Sequence, residues 1–161
     1  MNKVYLLTGG NMGNRQAMLE QAKNRIQKEI GVISACSEIY ETAAWGKADQ
    51  PSFLNQALEI TALLSAREVL SGVLSIEAKM GRFRQEKFGP RIIDIDILLY
   101  NNAIINEPGL IIPHARLAGR RFALTPLAEI APDYVHPILK ETIGTLLLNC
   151  KDELPVKKLE N

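Results

Sequence analysis

Asp94 and Asp96 stand two residues apart in Ile93-Asp94-Ile95-Asp96-Ile97-Leu98, directly after a basic stretch that runs from Gly81 to Arg91. Side chains at i and i+2 of a strand point to the same face. Alternation with the three isoleucines therefore puts both carboxylates together, with Cβ atoms roughly 7 Å apart. Two like charges on a half-buried face are costly unless something neutralises them. Mg²⁺ suits that task, because it prefers hard oxygen ligands and is commonly held by one or two carboxylates together with substrate phosphates. The bland alternative is a solvated acidic face, or an edge strand that carries charge against aggregation. The preceding stretch argues for a site: Lys79, Arg82, Arg84, Lys87 and Arg91 are interrupted by Glu86 alone, in a chain whose net charge is only +1. Arginine grips phosphate oxygens bidentately and lysine acts as a point charge. The segment thus reads as a polyphosphate and metal site. His114, Arg116, Arg120 and Arg121 could extend it from another element, although a lone histidine after proline also serves structural ends.

The elements that must position these groups follow from periodicity. Val4 to Thr8 is a short apolar run that ends in Gly9-Gly10-Asn11-Met12-Gly13-Asn14, which reads as a buried strand, a tight turn and a helix start. The turn lacks the G-K-[ST] of a P-loop and the glycine spacing of the dinucleotide fingerprint. Leu19, Ala22, Ile26 and Ile30 recur at helical spacing, with Gly31 as the stop. Val32 to Tyr40 reads as a strand, and Glu41 to Ser52 as a loop whose Trp45 either anchors it or covers a ligand. Phe53 to Leu64 reads as the next strand, with Asn55 near its start. Ser65-Ala66-Arg67-Glu68 is a capping box that opens a second helix. Glu77 falls on that helix's apolar stripe with Val69, Leu70, Val73, Leu74 and Met80, so its carboxylate needs a partner, whether an arginine or a ligand.

After the aspartates, Asn101-Asn102 suits a hairpin turn and Pro108-Gly109 another. Leu124, Leu127 and Ile130 suggest a helix that ends near Pro132, and Ile143 to Leu148 a terminal one. Residues 151–161 are polar and are expected to fray. The order strand, helix, strand, strand, helix, strand predicts an α+β, ferredoxin-like, largely antiparallel sheet packed with helices. A parallel sheet fits less well, because two strands follow each other directly.

Length and composition set the remaining expectations. A chain of 161 residues with 47% hydrophobic and 23% charged content reads as one globular domain over 1–161. Near-neutral charge argues against nucleic-acid and membrane partners. Cys36 and Cys150 form no C-x-x-C pair, so reduced thiols are expected. With no signal peptide or membrane-length run apparent, a cytoplasmic monomer acting on small molecules is the expectation.

Taken together, these motifs resemble a known family. Lys87-Phe88-Gly89-Pro90-Arg91-Ile92-Ile93-Asp94-Ile95-Asp96-Ile97-Leu98 looks like the signature of the 6-hydroxymethyl-7,8-dihydropterin pyrophosphokinases of folate biosynthesis. Thr8-Gly9-Gly10-Asn11, Asp49-Gln50-Pro51-x-Phe53-Leu54-Asn55, Gly81-Arg82-x-Arg84 and Pro113-His114 extend the resemblance over roughly residues 3 to 135. It implies a ferredoxin-like fold and transfer of a diphosphoryl group from ATP, the co-substrate, to the hydroxymethyl oxygen of the pterin, releasing AMP. It implies two Mg²⁺ ions held by Asp94 and Asp96, with Arg82 and Arg91 also in catalytic positions. It places Glu77, Arg84, Lys87, Phe88, Ile97, His114 and Arg120 on the ATP side. On the pterin side, where Trp45 is also placed, Phe53 and Phe122 can stack on a flat heterocycle, and the Asn55 amide and the backbone near Thr42 and Ala44 can match its polar edge. Loops 44 to 51 and 81 to 91 would close as lids. Phe88, Gly109 and Ala115 depart from the residues common at their positions.

Two rival readings are weighed against this one. Phe83 and Phe88 in a basic loop also suit an RNA-binding module, but the near-neutral charge and the lack of an RNP1 pattern oppose it. A non-catalytic regulator that binds pterin or nucleotide would share the site and release no AMP.

Overall fold

The computed structural model describes residues 1–43, 50–81 and 90–160. The core elements are β1 (Asn2–Gly10), α1 (Arg15–Glu29), β2 (Val32–Cys36), β3 (Tyr40–Thr42), β4 (Phe53–Ala62), α2 (Ala66–Lys79) and β5 (Asp94–Tyr100). They are followed by β6 (Ile105–Glu107), β7 (Leu110–Ile112), a 3₁₀ turn (Leu117–Gly119), α3 (Arg121–Ile130), α4 (Ile143–Leu148) and β8 (Val156–Lys158). Strand order is β5-β1-β4-β3-β8, with β2 also on β4, and every pair in this sheet is antiparallel. This is the ferredoxin-like arrangement, in which β2 and β3 share one strand's place.

Alternation along β1 decides the layers. Val4 and Leu6 face α1 and α2, where they meet Leu19, Ile26, Val73 and Ile76. Tyr5 and Leu7 face the other way, toward Leu124 and Leu127 of α3 and Ile143 and Leu146 of α4. Each such fully buried side chain contributes about 1.5–3 kcal/mol. Both helices on the first face start as their sequences direct. Asn14 accepts the Ala17 N–H at 3.1 Å, and the Ser65–Glu68 capping box is complete.

Three expectations are corrected. The strand expected over 32–40 divides into β2 and β3, because Ser37 takes over the ladder: its hydroxyl accepts the Ala57 N–H and its carbonyl the Gln56 amide. The Asn101-Asn102 turn forms, with Asn101 at φ 47, yet the returning chain does not pair with β5. Asn101 is tied instead to β1, exchanging bonds with Lys3, and β6 pairs with β7 around Pro108-Gly109, where Gly109 takes φ 77. The tail does not fray over 156–158, since β8 covers the edge of β3, with Thr42 opposite Val156. That pairing removes an exposed edge. Among the described residues, no helix is long and apolar enough to cross a membrane.

Candidate active site

One row of residues across the sheet brings the two halves of the site together. Gly9 on β1 lies opposite Asn55 on β4 and opposite Asp94 on β5. Neighbouring strands are about 4.8 Å apart, which sets Asn55 and Asp94 roughly 10 Å from each other. Gly9 is not at positive φ, so the requirement there is for space. A Cβ on it would sit 2.1 Å from Asn55 Oδ1, which means that the Asn55 amide occupies the room the glycine leaves. Gly10 is constrained differently, because its Cβ would meet the backbone oxygen of Ile92 at 2.4 Å.

Asn11, buried just past the end of β1, holds both sides. Its backbone N–H donates to Arg91 O at 2.9 Å, and its Oδ1 accepts the Arg91 N–H at 2.8 Å. Its amide nitrogen donates to Gln50 Oε1 and Pro51 O. Arg15 completes the frame by pairing with Glu41 at 2.8 Å and donating to Ser52. That pairing, with the Ser52 hydroxyl, keeps the Glu41 carboxyl below its ordinary pKa. Thr42, next to Glu41, is 3% exposed, and its hydroxyl has no hydrogen-bond partner among the described residues.

These elements enclose a cavity of about 710 Å³, within the usual range for small-molecule sites. Thr42, Phe53, Asn55 and Phe122 line it, with Gly9. Arg91, Asp94, Asp96, Ile97, His114 and Arg120 line it as well, and Glu77 reaches it from α2. Glu77 is 5% exposed, and its Oε2 accepts the Ile95 N–H at 2.7 Å, so the carboxylate also docks α2 on β5.

His114 follows β7, and its backbone N–H donates to Leu98 O. Its Nδ1 accepts the Arg116 N–H at 3.2 Å, so a neutral imidazole carries its proton on Nε2. Burial lowers its pKa; Asp96 opposes that shift, while Arg120 and Arg116 add to it. Burial likewise lowers the pKa of Arg120, with Arg116 next in effect. The Arg120 guanidinium carbon lies 5.4 Å from the centre of the Phe122 ring, within cation–π range.

Asp94 and Asp96 alternate with buried Ile93, Ile95 and Ile97 as expected, and both border the cavity. Arg91 Nε lies 3.1 Å from Asp94 Oδ2. Two carboxylates beside open space are the donor set that Mg²⁺ takes when phosphates and water supply its remaining ligands. No group of three or more His, Cys, Asp or Glu suited to a metal occurs among the described residues.

The cavity thus gathers eleven of the residues singled out from sequence. Ala44, Trp45, Arg82, Arg84, Lys87 and Phe88, with residues 44–49 and 82–89 of the two expected lids, lie outside the described residues. Arg116 joins the lining, but Arg121 does not belong to the expected cradle. Its guanidinium donates to Asp152 O and Cys150 O. Sequence reasoning missed Gly9 as the floor of the site: the Thr8-Gly9-Gly10-Asn11 motif marked the position, and the register across β1 gives its role. It also missed Leu70, Leu74 and Ile111 as an apolar wall, although the 44% and 50% exposure of Leu74 and Ile111 is unusual for residues in apolar periodic positions. Gly109 and Ala115, two of the departures noted above, border the same space.

Comparison with known proteins bears on this arrangement. The family profile described as 7,8-dihydro-6-hydroxymethylpterin-pyrophosphokinase (HPPK) matches residues 5–132. A 2-amino-4-hydroxy-6-hydroxymethyldihydropteridine pyrophosphokinase of Methylorubrum extorquens is 43% identical over 136 residues, covering 84% of this chain and 86% of its own. Its Bacillus subtilis counterpart is 42% identical over 130 residues, 80% of this chain and 78% of its own. Among solved structures, a Plasmodium falciparum HPPK-DHPS triple mutant superposes with a TM-score of 0.76 at 20% identity, covering 91% of this chain and 44% of that one. At that identity the likeness speaks for the fold.

Proposed function

Because the chain belongs to the 7,8-dihydro-6-hydroxymethylpterin-pyrophosphokinase family, we propose that it transfers the diphosphoryl group of ATP to 6-hydroxymethyl-7,8-dihydropterin. The products are the pterin diphosphate and AMP, a step of folate biosynthesis. The observation that carries this reading is the shared row: Asn55 and Asp94 flank Gly9 in one cavity, so a heterocycle and a polyphosphate fit side by side.

In this reading Phe53 and Phe122 stack on the pterin, and Asn55 with Thr42 reads its polar edge. The Thr42 hydroxyl, buried without a partner among the described residues, gains one when ligand binds. Arg91, Arg116, Arg120 and the Nε2–H of His114 face the triphosphate and counter its charge. The hydroxymethyl oxygen forms a bond to the β-phosphorus, the α,β-bridging bond breaks, and AMP leaves as the hydroxyl proton is released. Positioning dominates such a reaction, and the rigid strand that carries Asp94 and Asp96 supplies it. Asp94 and Asp96 would hold Mg²⁺, which, when bound, supplies neutralisation of the phosphate oxygens. We further propose that the protein acts in the cytoplasm as a monomer, the latter checked by light scattering.

The test is to incubate the protein with ATP, Mg²⁺ and the hydroxymethyl dihydropterin and to resolve the nucleotides. AMP is the expected product; ADP as the main product refutes diphosphoryl transfer. Asp94→Ala and Asp96→Ala are expected to fold with unchanged circular dichroism and to lose turnover by at least about 100-fold, and full activity in either removes the metal assignment.

A further inference from the structure

Helix α3 starts under an unusual constraint. Its N-cap position is held by Arg120, at φ −125 and ψ 103, whose side chain makes no cap hydrogen bond, and its first turn has no acidic residue. The leading N–H groups of a helix need acceptors, which Ser, Thr, Asp or Asn at the N-cap usually supplies. Here Arg120 and Phe122, on either side of the first helical residue, both border the cavity, so the cap position is given over to the site.

The acceptor comes from far along the chain. Asp152 Oδ2 accepts the Arg121 N–H at 3.1 Å. Arg121 returns the contact, with Nε donating to Asp152 O at 2.9 Å and Nη2 to Cys150 O at 2.8 Å. Asp152 Oδ1 accepts the Leu154 N–H, which fixes the carboxylate from its other side. Its negative charge also lies at the N-terminal end of the helix, where the dipole favours it, and acts on Arg120 as well. Beyond it, β8 starts opposite Thr42 and pairs with β3, so one C-terminal segment braces two walls of the cavity. Asp152 and β8 lie beyond the stretch that the family profile matches.

We propose that Asp152 is a positioning residue: a long-range cap of α3 that sets Arg120 and Phe122 against the cavity through Arg121. The identity of the ligands rests on the functional reading above; the capping does not. In the full-length chain, Asp152→Ala is expected to speed amide exchange at residues 121–123 of the ligand-free protein. It is also expected to raise KM for the hydroxymethyl dihydropterin and for ATP by about 3- to 10-fold, with kcat changed less. Asp152→Asn keeps an oxygen acceptor and is expected to recover at least half of each effect. An Asp152→Ala protein that melts earlier yet keeps wild-type exchange at α3 and wild-type KM overturns the proposal, as does an Asn variant no better than the Ala one. If the wild-type chain itself released no AMP, the functional reading would fall, while amide exchange would still decide the capping.

Discussion

Replacing Gly9 with alanine separates binding from folding at the centre of the site. The added Cβ would lie 2.1 Å from Asn55 Oδ1, about 1.3 Å short of the 3.4 Å at which ordinary contact begins. Leu54 O at 3.2 Å leaves it no room to move aside, so the Asn55 amide must turn away. Asn55 would then lose its hydrogen bonds to the heterocycle. Two such bonds at about 0.5–1.5 kcal/mol each amount to about 1–3 kcal/mol, or about 5- to 150-fold in affinity. Gly10→Ala is the control. Its Cβ meets the Ile92 backbone at 2.4 Å, and backbone cannot rotate out of the way, so the cost of about 1–3 kcal/mol falls on stability. Calorimetric titration with the hydroxymethyl dihydropterin, beside thermal unfolding, reads both quantities. Wild-type pterin affinity in Gly9→Ala would refute the reasoning, and so would a loss of stability as large as that of Gly10→Ala with affinity unchanged.

Three further outcomes are expected. Thr42→Val removes a hydroxyl with no partner among the described residues, so the ligand-free protein should keep or gain about 1 kcal/mol of stability while pterin affinity falls; unchanged affinity would remove the hydroxyl from the site. Glu77→Ala takes away the acceptor of the Ile95 N–H and should cost about 1–3 kcal/mol in urea unfolding, whereas a silent substitution would mean that α2 does not depend on that bond. Burial holds the His114 pKa below its usual value, so the folded state binds its proton less readily than the unfolded chain does. Its contribution is therefore intact above the unfolded value of about 6.5 and is lost as pH falls through the lower folded value. Polyphosphate beside the imidazole favours the charged form, so nucleotide binding near pH 6.5 should take up protons. Calorimetry in buffers of different ionisation enthalpy measures this uptake, and uptake that persists in His114→Ala would assign it elsewhere.

Local pattern determined much of this protein. The aspartate alternation, the Ser65–Glu68 box, the helix stop at Gly31 and the succession of strands and helices along the chain depend on residues within a few positions of each other, and period and capping chemistry express such relations directly. The basic residues around Asp94, with the outlying motifs at Thr8, Asn55 and Pro113, were enough to suggest the chemistry. Tertiary structure decided the rest, because those relations join residues far apart in the chain. Only the register of β1 against two neighbours sets Gly9 between Asn55 and Asp94. Only the packed sheet turns Arg121 away from the cradle that its sequence neighbours join, and toward Asp152. The polar tail looked free to fray because its stabilising partner, the edge of β3, lies over a hundred residues earlier in the chain, and no local pattern records a hydrogen-bonding edge left open by the fold.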